Sequence, residues 1–143
     1  GIVLDPDSGA LKQMLPVFRM GVGGTLGSGA QWMSWIYLDD VVSLIRYVAE
    51  HNDISGPVNA VGPHPVTNRV FTKRLGAHLK RPSFLPVPRF AVSLAFGEMA
   101  DIVFSSQRVM PEVALDHGFE FSQQTLDDAF AACLGEGTTE VRL

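Results

Sequence analysis

Apolar positions recur along the chain at two periods, and the switches between them mark the elements. Gly1-Ile2-Val3-Leu4 is an unbroken apolar run, as in a strand buried on both faces of a parallel sheet. Asp5-Pro6-Asp7-Ser8-Gly9 is turn chemistry. Asp7 or Ser8 can cap a helix to about residue 20, with Leu11, Leu15 and Phe18 on one face and Met14 beside them. Pro16 falls inside that helix and is expected to kink or shorten it. After a glycine-rich stretch over 21–29, residues 31–37 read as a strand. Its alternation puts Met33, Trp35 and Tyr37 on one face and Trp32, Ser34 and Ile36 on the other. A helix is predicted over 38–50, with Val41, Leu44, Ile45 and Val48 in one stripe. Residues 57–61 read as a second buried strand, parallel to the first in the same sheet.

Thr67-Asn68 caps a helix through Phe71, Leu75 and Leu79, and 82–88 is a proline-punctuated connection. An apolar helix starts at Pro88 and runs through Phe90, Leu94 and Phe96, with a second short helix expected over 98–104. Residues 111–116 suggest a turn or two of helix, and 118–122 a short strand. Residues 125–134 form an amphipathic helix with Leu126, Ala129, Phe130 and Cys133, and 135–143 read as a disordered tail. Strands alternating with helices indicate an α/β fold with a parallel sheet.

Composition narrows the class. Of the 143 residues, 46% are apolar and 18% charged, which suits a folded domain with a core rather than a disordered chain. A net charge of −4 with no basic patch standing out argues against nucleic acid and against an anionic membrane as partner. No apolar run approaches the roughly 20 residues of a membrane helix, and no signal-peptide pattern precedes the first strand. One cysteine, Cys133, excludes an intrachain disulfide and suits a reducing cytoplasm. Flanked by Ala131, Ala132 and Leu134, it reads as a small core residue.

Gly21, Gly23 and Gly27 spell a spacing near that of a nucleotide-binding loop, but the context differs. A dinucleotide fingerprint follows a strand and opens a helix; this loop follows a helix and opens a strand. It reads instead as a substrate-side loop whose glycines permit close approach. Trp35, beside Trp32 and Tyr37, is either a pocket wall with an indole donor or a core aromatic. Asp39 and Asp40 read as helix-start residues before catalytic carboxylates. His51, His64, His78 and His117 show no metal-ligand spacing, and no G-x-S-x-G is present. Neither tyrosine has a lysine four positions on: Tyr37 meets Val41, and Tyr47 meets His51.

An ordered series of segments points to one family. It runs Gly1-Ile2-Val3-Leu4-Asp5 with Gly9-Ala10-Leu11, then Gly23-Gly24-Thr25-Leu26-Gly27-Ser28-Gly29. Gln31-Trp32-Met33-Ser34-Trp35-Ile36 with Asp39-Asp40, Gly56-Pro57-Val58-Asn59-Ala60 and Pro65-Val66-Thr67-Asn68 continue it. Leu85-Pro86-Val87-Pro88, Gly97-Glu98-Met99-Ala100-Asp101 and Ser106-Gln107-Arg108-Val109 complete it. Over about residues 1–134 the chain resembles the C-terminal half of extended short-chain dehydrogenase/reductases, in the epimerase-like branch that carries a small extra domain of unassigned function.

The resemblance implies the C-terminal part of a Rossmann-like doubly wound sheet over 1–81 and a small, mostly helical subdomain over 82–134, with a tail over 135–143. It implies NAD or NADP in an intact parent and a small-molecule substrate, nucleotide-sugar-like or a small carbonyl. The family's G-x-x-G-x-x-G loop and Tyr-x-x-x-Lys pair are absent, so no catalytic or cofactor-binding residue is assigned and no cofactor is expected on this chain alone. The expected partner is a missing N-terminal Rossmann half. Substrate contacts are expected from Asp5, Gly9, Gly23, Gly24, Gln31 and Trp35. The chain is thus read as the substrate-binding fragment of an NAD(P)-dependent epimerase, dehydratase or reductase. The alternative is a stand-alone small-molecule binding module without redox activity.

Overall fold

The computed structural model describes residues 1–97 and 105–135 of the chain. Strand β1, Ile2–Leu4, leads through the Asp5 turn into helix α1, Gly9–Arg19. Leu11, Leu15 and Phe18 are buried along the stripe that the helical period sets. Ser8 stands at the N-cap without a capping side-chain bond, because its hydroxyl donates to the Asp5 carboxylate instead. Pro16 does not end the helix, which continues to Arg19. The chain then turns at Gly21, φ +75°, whose N–H donates to the Phe18 carbonyl at 2.9 Å.

The strand expected over 31–37 is two strands with different partners. They are β2, Trp32–Met33, and β3, Trp35–Tyr37. Helix α2, Leu38–Glu50, follows directly; β4 is Val66–Thr67 and α3 is Asn68–His78. β2 pairs antiparallel with β4, whereas β3 pairs parallel with β1, Ile2 opposite Trp35 and Leu4 opposite Tyr37. Ser34 is where the chain changes partner. Its carbonyl accepts the Ile2 N–H at 2.7 Å. Its hydroxyl donates to the Gln107 carbonyl and accepts the Val109 N–H, both at 2.9 Å. Thr67 caps α3 by accepting the Val70 N–H.

Beyond the connection over 82–88 lie α4, Arg89–Phe96, α5, Glu112–Asp116, and α6, Leu126–Leu134, which Thr125 caps through the Asp128 N–H. The helix expected over 98–104 falls outside the described residues, as does the tail from 136 to 143.

Two expected strands do not form. Over 57–61, Pro57 has no N–H to give a ladder, and the Val61 amide turns back to the Asn59 carbonyl at 3.1 Å. The place beside β1 belongs to β3. Over 118–122, Phe119 and Phe121 are buried and Glu120 is exposed, the alternation of a strand. Their amides are used otherwise: Phe119 N–H donates to the Ala114 carbonyl, closing α5, and Ser122 N–H goes to Asp40. One member of the expected α2 stripe also fails, since Leu44 is buried while Ile45 is 64% exposed.

The β1–β3 pair separates two cores, as alternation requires. On one face Leu4 and Trp35 pack with Leu11, Leu15 and Phe18 of α1, Phe71 and Leu75 of α3, and Leu126 and Phe130 of α6. On the other, Val3 and Ile36 pack with Leu44 of α2, Ala114 of α5, Phe119 and Phe121. The architecture is mixed α/β with helices on both faces of the parallel pair. No described helix is long and apolar enough to cross a membrane.

Asp40 is the polar pin of this arrangement. It is 2% exposed, and its two carboxylate oxygens accept the Ser122 and Gln123 N–H groups at 2.8 and 3.1 Å. It therefore fixes the segment between α5 and α6 onto the start of α2. Removing it takes the acceptor from two amides and leaves a buried gap. Asp40→Ala is expected to cost about 1.5–3 kcal/mol, the range for hydrogen bonds to a charged group. Denaturant unfolding measures this, with hydrogen exchange at Ser122 and Gln123 rising first.

Candidate functional site

In a parallel arrangement the C-terminal strand ends share one edge, and ligands of open α/β sheets bind beyond that edge. Here Leu4 lies opposite Tyr37, so the Asp5 turn and the start of α2 emerge together. The Asp5 carboxylate accepts the Asp7 N–H at 3.1 Å and the Ser8 hydroxyl. Those two bonds hold its carboxyl below the usual carboxylate range, so it is ionised at neutral pH. Gly9 opens α1 at φ +61° with open space where a side chain would stand.

Three further groups crowd this edge, and the sequence pattern gave no sign of them together. The Tyr37 phenol is pushed up by burial and by the Asp39 carboxylate. The Cys133 thiol, from α6, donates to the Leu4 carbonyl at 3.4 Å. Burial, then the nearby charges of Asp5 and Asp39, push that thiol up to about 11. The register that places Leu4 beside Tyr37 and the docking of α6 bring them together.

The remaining expected contacts sit differently. Gly23 and Gly24 are buried, and their lack of side chains serves the chain itself. A Cβ at Gly23 would lie 2.6 Å from the Phe18 ring, and one at Gly24 would lie 1.6 Å from the Leu85 carbonyl oxygen. Gln31 is half-buried and its amide nitrogen donates to the Leu26 carbonyl at 3.1 Å. Trp35 is 1% exposed, within the core, and its indole N–H is already taken by the His64 carbonyl at 2.9 Å. The structure thus brings Asp5 and Gly9 to the strand edge, and places Gly23, Gly24 and Trp35 in packing.

The glycine loop also fails as a cradle for a dinucleotide pyrophosphate. It leaves α1 rather than opening a helix, and the close approaches its glycines permit are filled by Phe18 and Leu85. The residues of this loop do not fit the cofactor.

Comparisons with known proteins agree on one group. A family model described as a domain of unknown function, DUF1731, matches residues 87–133. The chain is 44% identical over 134 residues to the chloroplastic "Epimerase family protein SDR39U1 homolog" of Arabidopsis thaliana, covering 94% of this chain and 39% of that protein. It superposes on the crystal structure of human epimerase family protein SDR39U1 (isoform 2) with NADPH at a TM-score of 0.87 and 34% identity. That match covers 96% of this chain and 47% of the human one. A nucleoside-diphosphate sugar epimerase from Corynebacterium glutamicum matches at a TM-score of 0.69 and 31% identity, over 94% of this chain and 25% of that one. The chain spans less than half the length of each.

Two measurements check the geometry of the site. Gly24→Ala is expected to cost about 2–4 kcal/mol, because a Cβ facing backbone oxygen cannot be accommodated by a rotamer change. Gly9→Ala, strained only by its φ, should cost about 1 kcal/mol. Thermal melts rank the pair. For Cys133, iodoacetamide labelling of the folded chain at pH 8 should run on the order of 100-fold slower than in the unfolded chain. The rate should climb as pH rises toward 11, where the thiol ionises.

By family model, relatives and superposition alike, the chain corresponds to the C-terminal part of epimerase family proteins of the short-chain dehydrogenase/reductase kind and carries their domain of unknown function.

Proposed function

We propose that this chain supplies the substrate side of an NAD(P)-dependent enzyme of epimerase, dehydratase or reductase type. In this reading β1 and β3 are late strands of a doubly wound sheet whose remaining strands belong to a longer protein. Those other residues hold NAD or NADP and carry the hydride chemistry. One observation carries the reading: the Asp5 turn and the Tyr37–Asp39 stretch share the strand edge where such folds take ligands. The likeness to a human protein crystallised with NADPH supports the cofactor class.

Each residue then has a role its surroundings suit. Asp5, ionised and half-buried, accepts a hydroxyl of a small polar substrate. Gly9, with open space beside it, lets the substrate approach the start of α1. Gln31 spends one amide hydrogen on Leu26 and offers the rest of its amide to the ligand. Gly23, Gly24 and Trp35 hold the loop and strand in place beneath that surface.

The test uses both the chain and its longer parent. Titrated with NADPH, the 143-residue chain is expected to show no saturable resonance shifts at Asp5, Gly9 or the 21–24 stretch, since it lacks a phosphate loop. Saturable shifts at those residues would overturn this division of labour. In the parent, Asp5→Asn and Gln31→Ala should raise KM about tenfold with little change in melting temperature, the signature of lost binding rather than lost fold. Unchanged kinetics in both variants would remove the assigned contacts.

A further inference from the structure

Charge is divided sharply along this acidic chain. Residues 54–97 contain six Lys or Arg and no Asp or Glu, leaving five cations against fifteen acids elsewhere. No basic patch stood out from the overall charge of −4, but the fold gathers one. Arg74 is paired with Asp127 at 2.9 Å. Arg69, Lys73 and Arg81 instead line one groove of about 450 Å³, with Thr25, Ser83 and Phe84. Among the described residues no carboxylate lines it. Arg69 and Lys73 lie one turn apart on α3, a spacing at which like charges oppose each other. Among the described residues neither has an acidic partner.

The groove is shaped by two close approaches. A Cβ at Gly76 would meet the Ser83 side chain at 2.4 Å, so this glycine lets the 81–84 turn lie flush on α3. The Arg81 N–H bond to the Gly76 carbonyl, 2.9 Å, pins it there. On the other wall, a Cβ at Gly29 would lie 2.2 Å from the Thr25 methyl and 3.1 Å from the Arg69 Cβ. One Arg69 nitrogen donates to the Ser28 carbonyl at 2.8 Å, which orients the guanidinium. The rim carries the Phe84 ring, 80% exposed.

From these features we infer that the groove binds a small phosphate-bearing ligand with a flat ring. Arg69, Lys73 and Arg81 take the phosphates, the Thr25 and Ser83 hydroxyls add donors, and Phe84 stacks on the ring. An aromatic face and a fork of guanidinium groups beside an ammonium suit a nucleotide better than a bare anion. The site goes beyond the substrate contacts proposed above. Thr25 lies in the glycine loop, but none of the three cations belongs to that set, and binding here requires no turnover.

The test is a titration of the full 143-residue chain at low salt, read by resonance shifts, with ADP, inorganic pyrophosphate, adenosine and a ten-nucleotide single strand as probes. ADP and pyrophosphate should shift the Arg69, Lys73 and Arg81 signals, and adenosine should not saturate. Lys73→Gln with Arg81→Gln should weaken both phosphate probes about tenfold or more. Phe84→Ala should weaken ADP about tenfold and leave pyrophosphate unchanged. Gly76→Ala, which displaces the Ser83 wall without touching charge, should weaken both. All but Gly76 are surface positions, so melting temperatures of the other variants should hold. Absence of saturable binding, or affinity indifferent to the charge variants, would overturn the site. Tighter binding of the oligonucleotide at the same residues would overturn the small-ligand assignment in favour of a polyanion surface.

Discussion

A parallel pair of three-residue strands cannot stand alone in water. The bonds between β1 and β3 persist because helices cover both of their faces, and the rest of the structure follows from that demand. Trp35 and Ile36, neighbours in sequence, must each find a separate core, so the molecule has to build two. α1 and α3 fill one and α2 the other, yet neither set suffices. The C-terminal third completes both, sending α6 to the Trp35 side and Ala114, Phe119 and Phe121 to the Ile36 side. Asp40 locks the crossing between them with a charged, buried, two-bond contact that no apolar residue could supply.

This dependence explains which elements could be read from the sequence. Helices were legible wherever a stripe and a cap coincided, as in α3 behind Thr67 and α6 behind Thr125. Strands were legible only as extended segments, because pairing is decided by distant residues. Ser34 gave no local hint that its carbonyl would serve β1 while its hydroxyl served 107–109. Residues 118–122 carry a faithful strand alternation, and Phe119 and Phe121 are buried as it demands. The Phe119 amide was claimed by Ala114 and the Ser122 amide by Asp40, and a pattern of side chains says nothing about where amides go.

The same limit governs the candidate site. Glycine marks close approach, but sequence does not say what approaches. At Gly23 and Gly24 it is Phe18 and Leu85, and at Gly76 it is Ser83. Trp35 shows the ambiguity in one residue: its indole N–H needed a buried acceptor, and a backbone carbonyl supplied one as readily as a ligand would. Asp5 was accessible to reasoning because its position at a strand end is topological. Its companions Tyr37, Asp39 and Cys133 were not, since only the register of β3 and the docking of α6 bring them there.

Charge separation has a consequence for the fold as well. With five of the six cations of 54–97 on α3 or just past its end, and acids concentrated in the remainder of the chain, attraction favours docking of α6 against α3. The Arg74–Asp127 pair bridges α3 and α6, and α6 presents two acids in its first turn. Such an exposed pair contributes little by itself, about 0–1 kcal/mol. The cations that face away from α6 gain less still from it. Arg69 and Lys73 repel each other on one helical turn, and stability alone would favour an acid at either position. A fold that keeps that repulsion beside a shaped groove, while neutralising the neighbouring Arg74, holds its unspent positive charge where a ligand can reach it.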